Sequence, residues 1–311
     1  MDINYIILAH KNPEQVGRLI SRLSTSNTRF YIHVDSNSAI EPFKQQLATT
    51  KHCFLLENRE KGTWGDLGIV KATIHALRKI IRDHRRGYCV LLSGQDYPIK
   101  PNKKIESFLT IHQGTSFVSA FALPKSSWDY GGMNRIEYYK FNLSDNRGDY
   151  LMLPYVLSKE FLRKWVHYVH TVRKLVRLKR YPWEILKKRR FPRYMQPFGG
   201  SQWWAIPVEV AEKLLFFFDH NPKFLSYHQY TLLPDEIVFQ SLVKHLHITP
   251  IKPSITYVNW ERPNVVLPVT FNENDFQELL SQPEEMLFAR KFDAENEPKI
   301  LDLIDQFLLT G

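Results

Sequence analysis

The chain has 311 residues, 43% hydrophobic and 14% aromatic, enough for a substantial core in one large α/β domain or a domain with an appended lobe. No run reaches the roughly 18 uncharged apolar residues of a spanning helix. Met1-Asp2-Ile3-Asn4 lacks the basic start of a secretory signal, and two cysteines, Cys53 and Cys89, cannot build a disulfide framework or a cysteine zinc site, so a reducing, cytoplasmic setting is expected. The net charge of +10 is local: between Thr171 and Gln196 ten cations from Arg173 to Arg193 face one acid, Glu184, which argues against a nucleic-acid surface over the whole protein.

The first third alternates. Ile3 to Ala9 reads as a strand, followed after His10-Lys11-Asn12-Pro13 by Val16, Leu19, Ile20 and Leu23 at helical spacing. Phe30 to Val34 and His52 to Leu56 read as strands. A long helix follows Gly62-Thr63-Trp64-Gly65, with Ile69, Val70, Thr73, Leu77, Ile80 and Ile81 on one stripe, and Tyr88 to Leu92 is a fourth strand ending at Ser93-Gly94-Gln95-Asp96-Tyr97-Pro98. This order predicts a mostly parallel α/β sheet whose ligands bind at the carboxyl ends of the strands.

Further on, Phe117 to Phe121 is expected as a strand, residues 124–154 as loop, and Ser158 to Lys179, Pro207 to Phe218 and Asp235 to Leu246 as helices. Ile255 to Val258 reads as a short strand, and residues 273–281 and 295–309 as acidic amphipathic helices. No repeat or linker is present, so a single domain over residues 1–311 is expected.

Several segments carry chemistry. There is no glycine-rich phosphate loop, serine nucleophile elbow or paired-histidine metal motif, and no Asp-x-Asp. A sugar-nucleotide enzyme built this way would rely on fixed cations to neutralise its leaving diphosphate. Phe288-Ala289-Arg290-Lys291-Phe292 sets two cations among apolar residues; it reads either as a helix end answering the helix dipole or as a cradle for a polyanion such as a diphosphate. Asp235 and Glu236, after Leu233-Pro234, suit a helix first turn or a cleft carboxylate acting as general base. Gly199 to Trp204 combines a flexible turn with Ser201, Gln202 and two indoles, which fits a carbohydrate subsite or a core tryptophan pair.

Taken in order, Ile7-Leu8-Ala9-His10-Lys11, Ile32-His33-Val34-Asp35, Trp64-Gly65, Leu92 to Pro98, Gly200-Ser201-Gln202-Trp203-Trp204, Pro234-Asp235-Glu236 and Phe288 to Phe292 resemble the core-2/I-branching glycosyltransferases, glycosyltransferase family 14, which include the peptide O-xylosyltransferases. The resemblance spans about residues 3–293. It implies a GT-A type α/β fold, with about 1–120 as the nucleotide-binding half and about 121–311 as the acceptor half with a diphosphate-binding segment. It also implies inverting transfer of N-acetylglucosamine or xylose from a UDP-sugar, with no cofactor and no divalent metal.

By position Glu236, with Asp235 beside it, is the expected base. Arg290 and Lys291 would hold the diphosphate, His33 and Asp35 would lie near the uridine, and Trp64 and Asp96 would join the donor side. Tyr97, Ser201, Gln202, Trp203 and Trp204 would contact substrate. The chain departs from animal members, which carry an anchor, a stem and several disulfides, so a bacterial, cytoplasmic-side version is expected. Its acceptor would be a glycan or lipid-linked oligosaccharide of surface polysaccharide synthesis.

The basic segment interleaves its cations with residues such as Leu178, Tyr181, Trp183 and Leu186. That pattern suits a solvated loop or peripheral contact with an anionic membrane through residues 171–196. Two rivals to the enzyme reading are a nucleic-acid-binding protein, which leaves the acids at 235 and 236 without a role, and an inactive UDP-sugar sensor.

Overall fold

The computed structural model describes residues 1–179 and 181–310; Arg180 of the basic cluster and Gly311 lie outside the described residues. Strand β1 (Ile3–Ala9) is followed by helix α1 (Pro13–Leu23), β2 (Thr28–Val34), α2 (Glu41–Leu47), β3 (Cys53–Leu55), α3 (Gly68–Arg82) and β4 (Tyr88–Ser93). These four strands lie in the order β3-β2-β1-β4, all parallel. Both faces must be covered in such a sheet, which explains why β1 and β4 are apolar along almost their whole length. Tyr5 and Ile7 pack toward α1 through Val16, Leu19 and Ile20. Ile6 and Tyr31 face the other way, into a second core with Val70, Ile74 and Leu77 of α3.

After β5 (Asp96–Pro98) and α4 (Asn102–Ile111) come two very short strands, β6 (Ser116–Phe117) and β7 (Phe121–Ala122), and helix α5 (Met133–Glu137). A single strand from Phe117 to Phe121 is therefore corrected: β6 joins the central sheet, while β7 pairs with β10 (Phe198–Gly199) in a separate ribbon. The central sheet is completed by β11 (Ala205–Pro207), antiparallel to β4 and β6, and by β12 (Ile251–Lys252) at its edge.

Residues 124–154 are more ordered than expected, because β8 (Tyr139–Asn142) and β9 (Tyr150–Leu153) form an antiparallel hairpin. The expected helix from Ser158 to Lys179 is two helices, α6 (Lys159–Arg163) and α7 (Trp165–Arg177), broken where Lys164 leaves helical geometry at φ −112°, ψ 31°. Tyr139, Leu153, Phe161, Tyr168 and Leu175 pack beneath them as a small third core. Helices α8 (Val208–His220), α9 (Pro222–Tyr227) and α10 (Val238–His245) follow. The expected helix at Asp235 starts three residues late, since Pro234–Glu236 is a separate 3-10 turn and Ile237 is non-helical at φ −130°.

The chain ends its described course with β13 (Thr256–Val258), α11 (Phe276–Leu280), β14 (Phe288–Arg290) and α12 (Pro298–Phe307). Strand β14 lies between β13 and β5, with Arg290 opposite Asp96. The helix-end reading of Phe288 to Phe292 is thus excluded. Phe288, Ala289 and Phe292 are fully buried, and α12 holds this sheet against the rest through Asp305, which accepts from Arg18 at 2.7 Å and from Tyr97 Oη at 2.8 Å. Of the cysteines, Cys89 is buried in β4 and Cys53 half-buried in β3, both unpaired.

Candidate active site

A cleft of about 950 Å³ opens at the carboxyl ends of β1, β2 and β4. Its floor is the chain as it leaves those strands: Ala9 and His10, His33 and Asp35, Ser93 and Gln95. Asp35 N still donates to the Ala9 carbonyl at 2.8 Å and Gly94 N to the Leu8 carbonyl at 2.9 Å, so the ladder runs up to the rim of the cleft, the edge at which parallel sheets bind ligands. Over the floor lie the Gly62–Gly65 loop, the Gly200–Trp203 segment, the turn carrying Asp235 and Glu236, and Arg290 with Lys291.

Two glycines let these pieces approach. A Cβ on Gly62 would fall 2.6 Å from Asp35 Oδ2, the same atom that accepts from Gly62 N at 3.1 Å. A Cβ on Gly200 would fall 1.8 Å from the Ser119 carbonyl, and Gly200 N donates to the Glu236 carbonyl at 2.9 Å. His33 Nε2 accepts from Glu60 N at 2.8 Å. Burial holds its imidazole down at about 4, so the ring is neutral and its Nδ1 carries the proton.

Arg290 is held on three sides. Its Nη1 donates to Asp96 Oδ1 at 2.7 Å and to Ser93 Oγ, and its guanidinium lies 4.3 Å from the centre of the Trp203 ring. Lys291 follows it into the cleft, its ammonium held below the ordinary lysine range by burial and then by Arg147 and Arg290. In the same cleft, Glu236 Oε2 accepts from Arg135 Nη1 at 2.6 Å, and Arg135 stacks 3.7 Å over Trp128. Burial raises the Glu236 carboxyl, with Arg135 opposing. Asp235 is pushed well above the carboxylate range by burial and by Glu236, and its Oδ1 is buried without a partner.

The structure therefore brings together His33, Asp35, Trp64, Ser201, Gln202, Trp203, Asp235, Glu236, Arg290 and Lys291. Three expected residues stand elsewhere. Asp96 is wholly buried beneath the cleft and braces Arg290 instead of meeting donor. Tyr97 points into the core toward Asp305. Trp204 packs on Phe239 in the second core at a ring distance of 5.4 Å, whereas Trp203, buried in the same core, also reaches the cleft.

The profile of the family described as Core-2/I-Branching enzyme matches residues 3–280. The chain belongs to the core-2/I-branching enzyme family. Among its curated relatives, xylosyltransferase 1 of Canis lupus familiaris is 22% identical over 330 residues, covering 98% of this chain and 30% of the relative. Xylosyltransferase sqv-6 of Caenorhabditis elegans is 22% identical over 310 residues, covering 91% and 34%. This core-2/I-branching chain thus spans about a third of the length of the curated relatives it matches. Among solved structures, a UDP-glucose pyrophosphorylase mutant from Leishmania major aligns over 71% of this chain and 52% of its own at 9% identity, with a TM-score of 0.28, too slight a likeness to carry weight. Family membership and the parallel order of β3-β2-β1-β4 agree with the GT-A type α/β architecture expected.

Sequence reasoning missed Arg135, Trp128, Asp145 and Arg147, all in the cleft wall and all within the stretch read as loop. A signal was present: Tyr139 to Asn142 and Tyr150 to Leu153 flank Ser144-Asp145-Asn146-Arg147-Gly148, a pattern of two strands around turn residues.

Proposed function

We propose that this core-2/I-branching chain is an inverting glycosyltransferase that moves N-acetylglucosamine or xylose from a UDP-sugar to a hydroxyl of a glycan, without a divalent metal. The observation that carries the reading is one cleft with a carboxylate, Glu236, and a pair of cations, Arg290 and Lys291, at the switch edge of a parallel sheet. Glu236 Oε2 is engaged by Arg135, which leaves Oε1 for the acceptor hydroxyl. Oε1 takes the proton as the acceptor oxygen forms its bond to the sugar's anomeric carbon. The bond from that carbon to the diphosphate oxygen breaks on the far side, and its electron pair stays on the diphosphate beside Arg290 and Lys291. Arg290, pre-set by Asp96 and Trp203, needs no reorganisation as that charge develops.

A surface-polysaccharide or lipid-linked acceptor and a peripheral place on the cytoplasmic membrane face belong to the same proposal. Leu178, Tyr181, Trp183 and Leu186 are each about half or more exposed, among Arg173, Lys174, Arg177, Lys187 and Lys188. Glu184 is turned inward, accepting from Tyr230 Oη at 2.7 Å, so its charge is withdrawn from that surface. Arg189 is not part of it. Its guanidinium is buried, donating to the Tyr227 and Tyr230 carbonyls and to Thr231 Oγ1 at 2.8–2.9 Å.

A panel of UDP-sugars, N-acetylglucosamine and xylose first, tested with Glu236→Gln separates transferase from sensor. UDP binding is expected to survive in the variant while transfer falls by about a hundredfold or more. Unchanged transfer removes Glu236 from the base role, and loss of wild-type activity in EDTA contradicts the part given to Arg290 and Lys291.

A further inference from the structure

The hairpin of β8 and β9 carries a cation to the cleft that none of the sequence motifs contains. Its body is fastened to the Gly62–Asp66 loop. The buried Lys140 ammonium donates to the Trp64 carbonyl at 3.1 Å and to the Asp66 carboxylate, Asn142 donates to that same carboxylate, and the Tyr150 ring lies 5.9 Å from Trp64. At the tip, Asp145 pairs with Lys61 at 2.6 Å, so the hairpin is tied down on both sides of its turn.

Arg147 stands between these ties. Its guanidinium lies 5.4 Å from the Trp64 ring and lines the same cleft as Arg290 and Lys291. Most cations around the cleft already have a carboxylate: Arg290 has Asp96, Arg135 has Glu236, Lys61 has Asp145 and Lys11 has Asp293. Arg147 and Lys291 have none among the described residues. Among the described residues, the sole hydrogen bond from the Arg147 side chain is to the Leu267 carbonyl at 3.5 Å, the outer limit for such a contact.

Two unpaired cations facing one cleft repel each other, and the positive charge of Arg147 is felt at the Lys291 ammonium. An anion with several oxygens between them removes that repulsion and gives the guanidinium fork the acceptors it lacks. We propose that Arg147 is a third ligand of the donor diphosphate, and that the hairpin tip seats it opposite Lys291 across the bound nucleotide. This rests on the reading of the cleft as a UDP-sugar site. Trp64 then has two tasks, as a wall of the cleft and as the platform that keeps the guanidinium flat.

The test is titration calorimetry of UDP and of uridine against the wild type, Arg147→Ala, Arg147→Lys and Arg290→Ala. Arg147 is exposed and supports no core packing, and uridine reports whether the rest of the cleft is intact. Expected is a loss of about tenfold or more in UDP affinity for Arg147→Ala, partial recovery with lysine, unchanged uridine affinity and a weaker dependence of UDP binding on salt. Equal UDP affinity in Arg147→Ala overturns the proposal while a defect in Arg290→Ala leaves the site assignment standing. Equal losses for UDP and uridine also overturn it, since they mark a packing role through Trp64. If wild type binds neither compound, the site assignment itself falls and this inference with it.

Discussion

Arg290 and Asp96 face each other across the β14–β5 ladder, and the guanidinium meets a fully buried carboxylate at 2.7 Å. The cation expected to meet phosphate is therefore aimed by an acid that itself never touches the cleft. Removing one member of such a pair leaves the other without its partner in a dry place. Asp96→Ala is expected to lose about 3 kcal/mol of stability in urea melts and to weaken UDP binding as well. A variant that keeps wild-type stability and UDP affinity would show that Ser93 and Trp203 suffice to aim Arg290.

The Glu236–Arg135 pair predicts a pH dependence. With Glu236 as the proposed base, transfer needs it ionised, and kcat/KM is expected to fall as pH drops through a carboxyl that burial holds above its ordinary value. Arg135 favours the charged form. Taking it away raises the carboxyl further, so Arg135→Ala should move the acidic limb to higher pH. A limb that stays in place, measured under saturating donor, disconnects the two residues.

Asp235 sets an opposite rule for stability. Its folded carboxyl titrates above its unfolded value because burial and the neighbouring Glu236 disfavour the charge. The folded state then binds the proton more tightly, and stability falls as pH rises from the unfolded value toward the folded one. Asp235→Asn should melt higher than wild type at pH 8, by about 2 °C for each kcal/mol relieved, and the gain should vanish near pH 4. Thermal scans giving the same difference at both pH values would falsify this account.

For the basic surface, co-sedimentation with anionic and with neutral vesicles at low salt is the direct measurement. Binding to anionic vesicles only is expected, each surface cation contributing about 1 kcal/mol. Trp183→Ala and a Lys187→Glu, Lys188→Glu double variant should each weaken it. Indifference to vesicle charge would end the membrane proposal.

The parallel sheet was legible in the sequence because β1, β2 and β4 are largely apolar runs, with the clear helical stripes of α1 and α3 placed among them. Short α2 and α4 were not, since seven and ten residues bury only two side chains apiece and leave little periodic signal. At the site, acids and cations were visible as residue types, but their partners were not. Glu236 meets Arg135 across 101 positions, and nothing local announces that. The wrong assignments of Asp96 and Tyr97 share one cause, for a strand end rich in polar groups looks alike whether it faces a cleft or its foundations. Trp204 was not decidable either, because two neighbouring indoles read alike in sequence, and both are buried in the second core with Trp203 alone of the two also lining the cleft.

The contact between Asp96 and Arg290 joins positions 194 residues apart. A partly folded chain that completes the four parallel strands still lacks Arg290 and Lys291 at the cleft, because they arrive only when β14 slots beside β5. On the proposed diphosphate role of that pair, donor affinity is a report on this long-range closure of the fold. UDP should slow the opening of β14 and α12 in hydrogen exchange while leaving exchange in α3 unchanged.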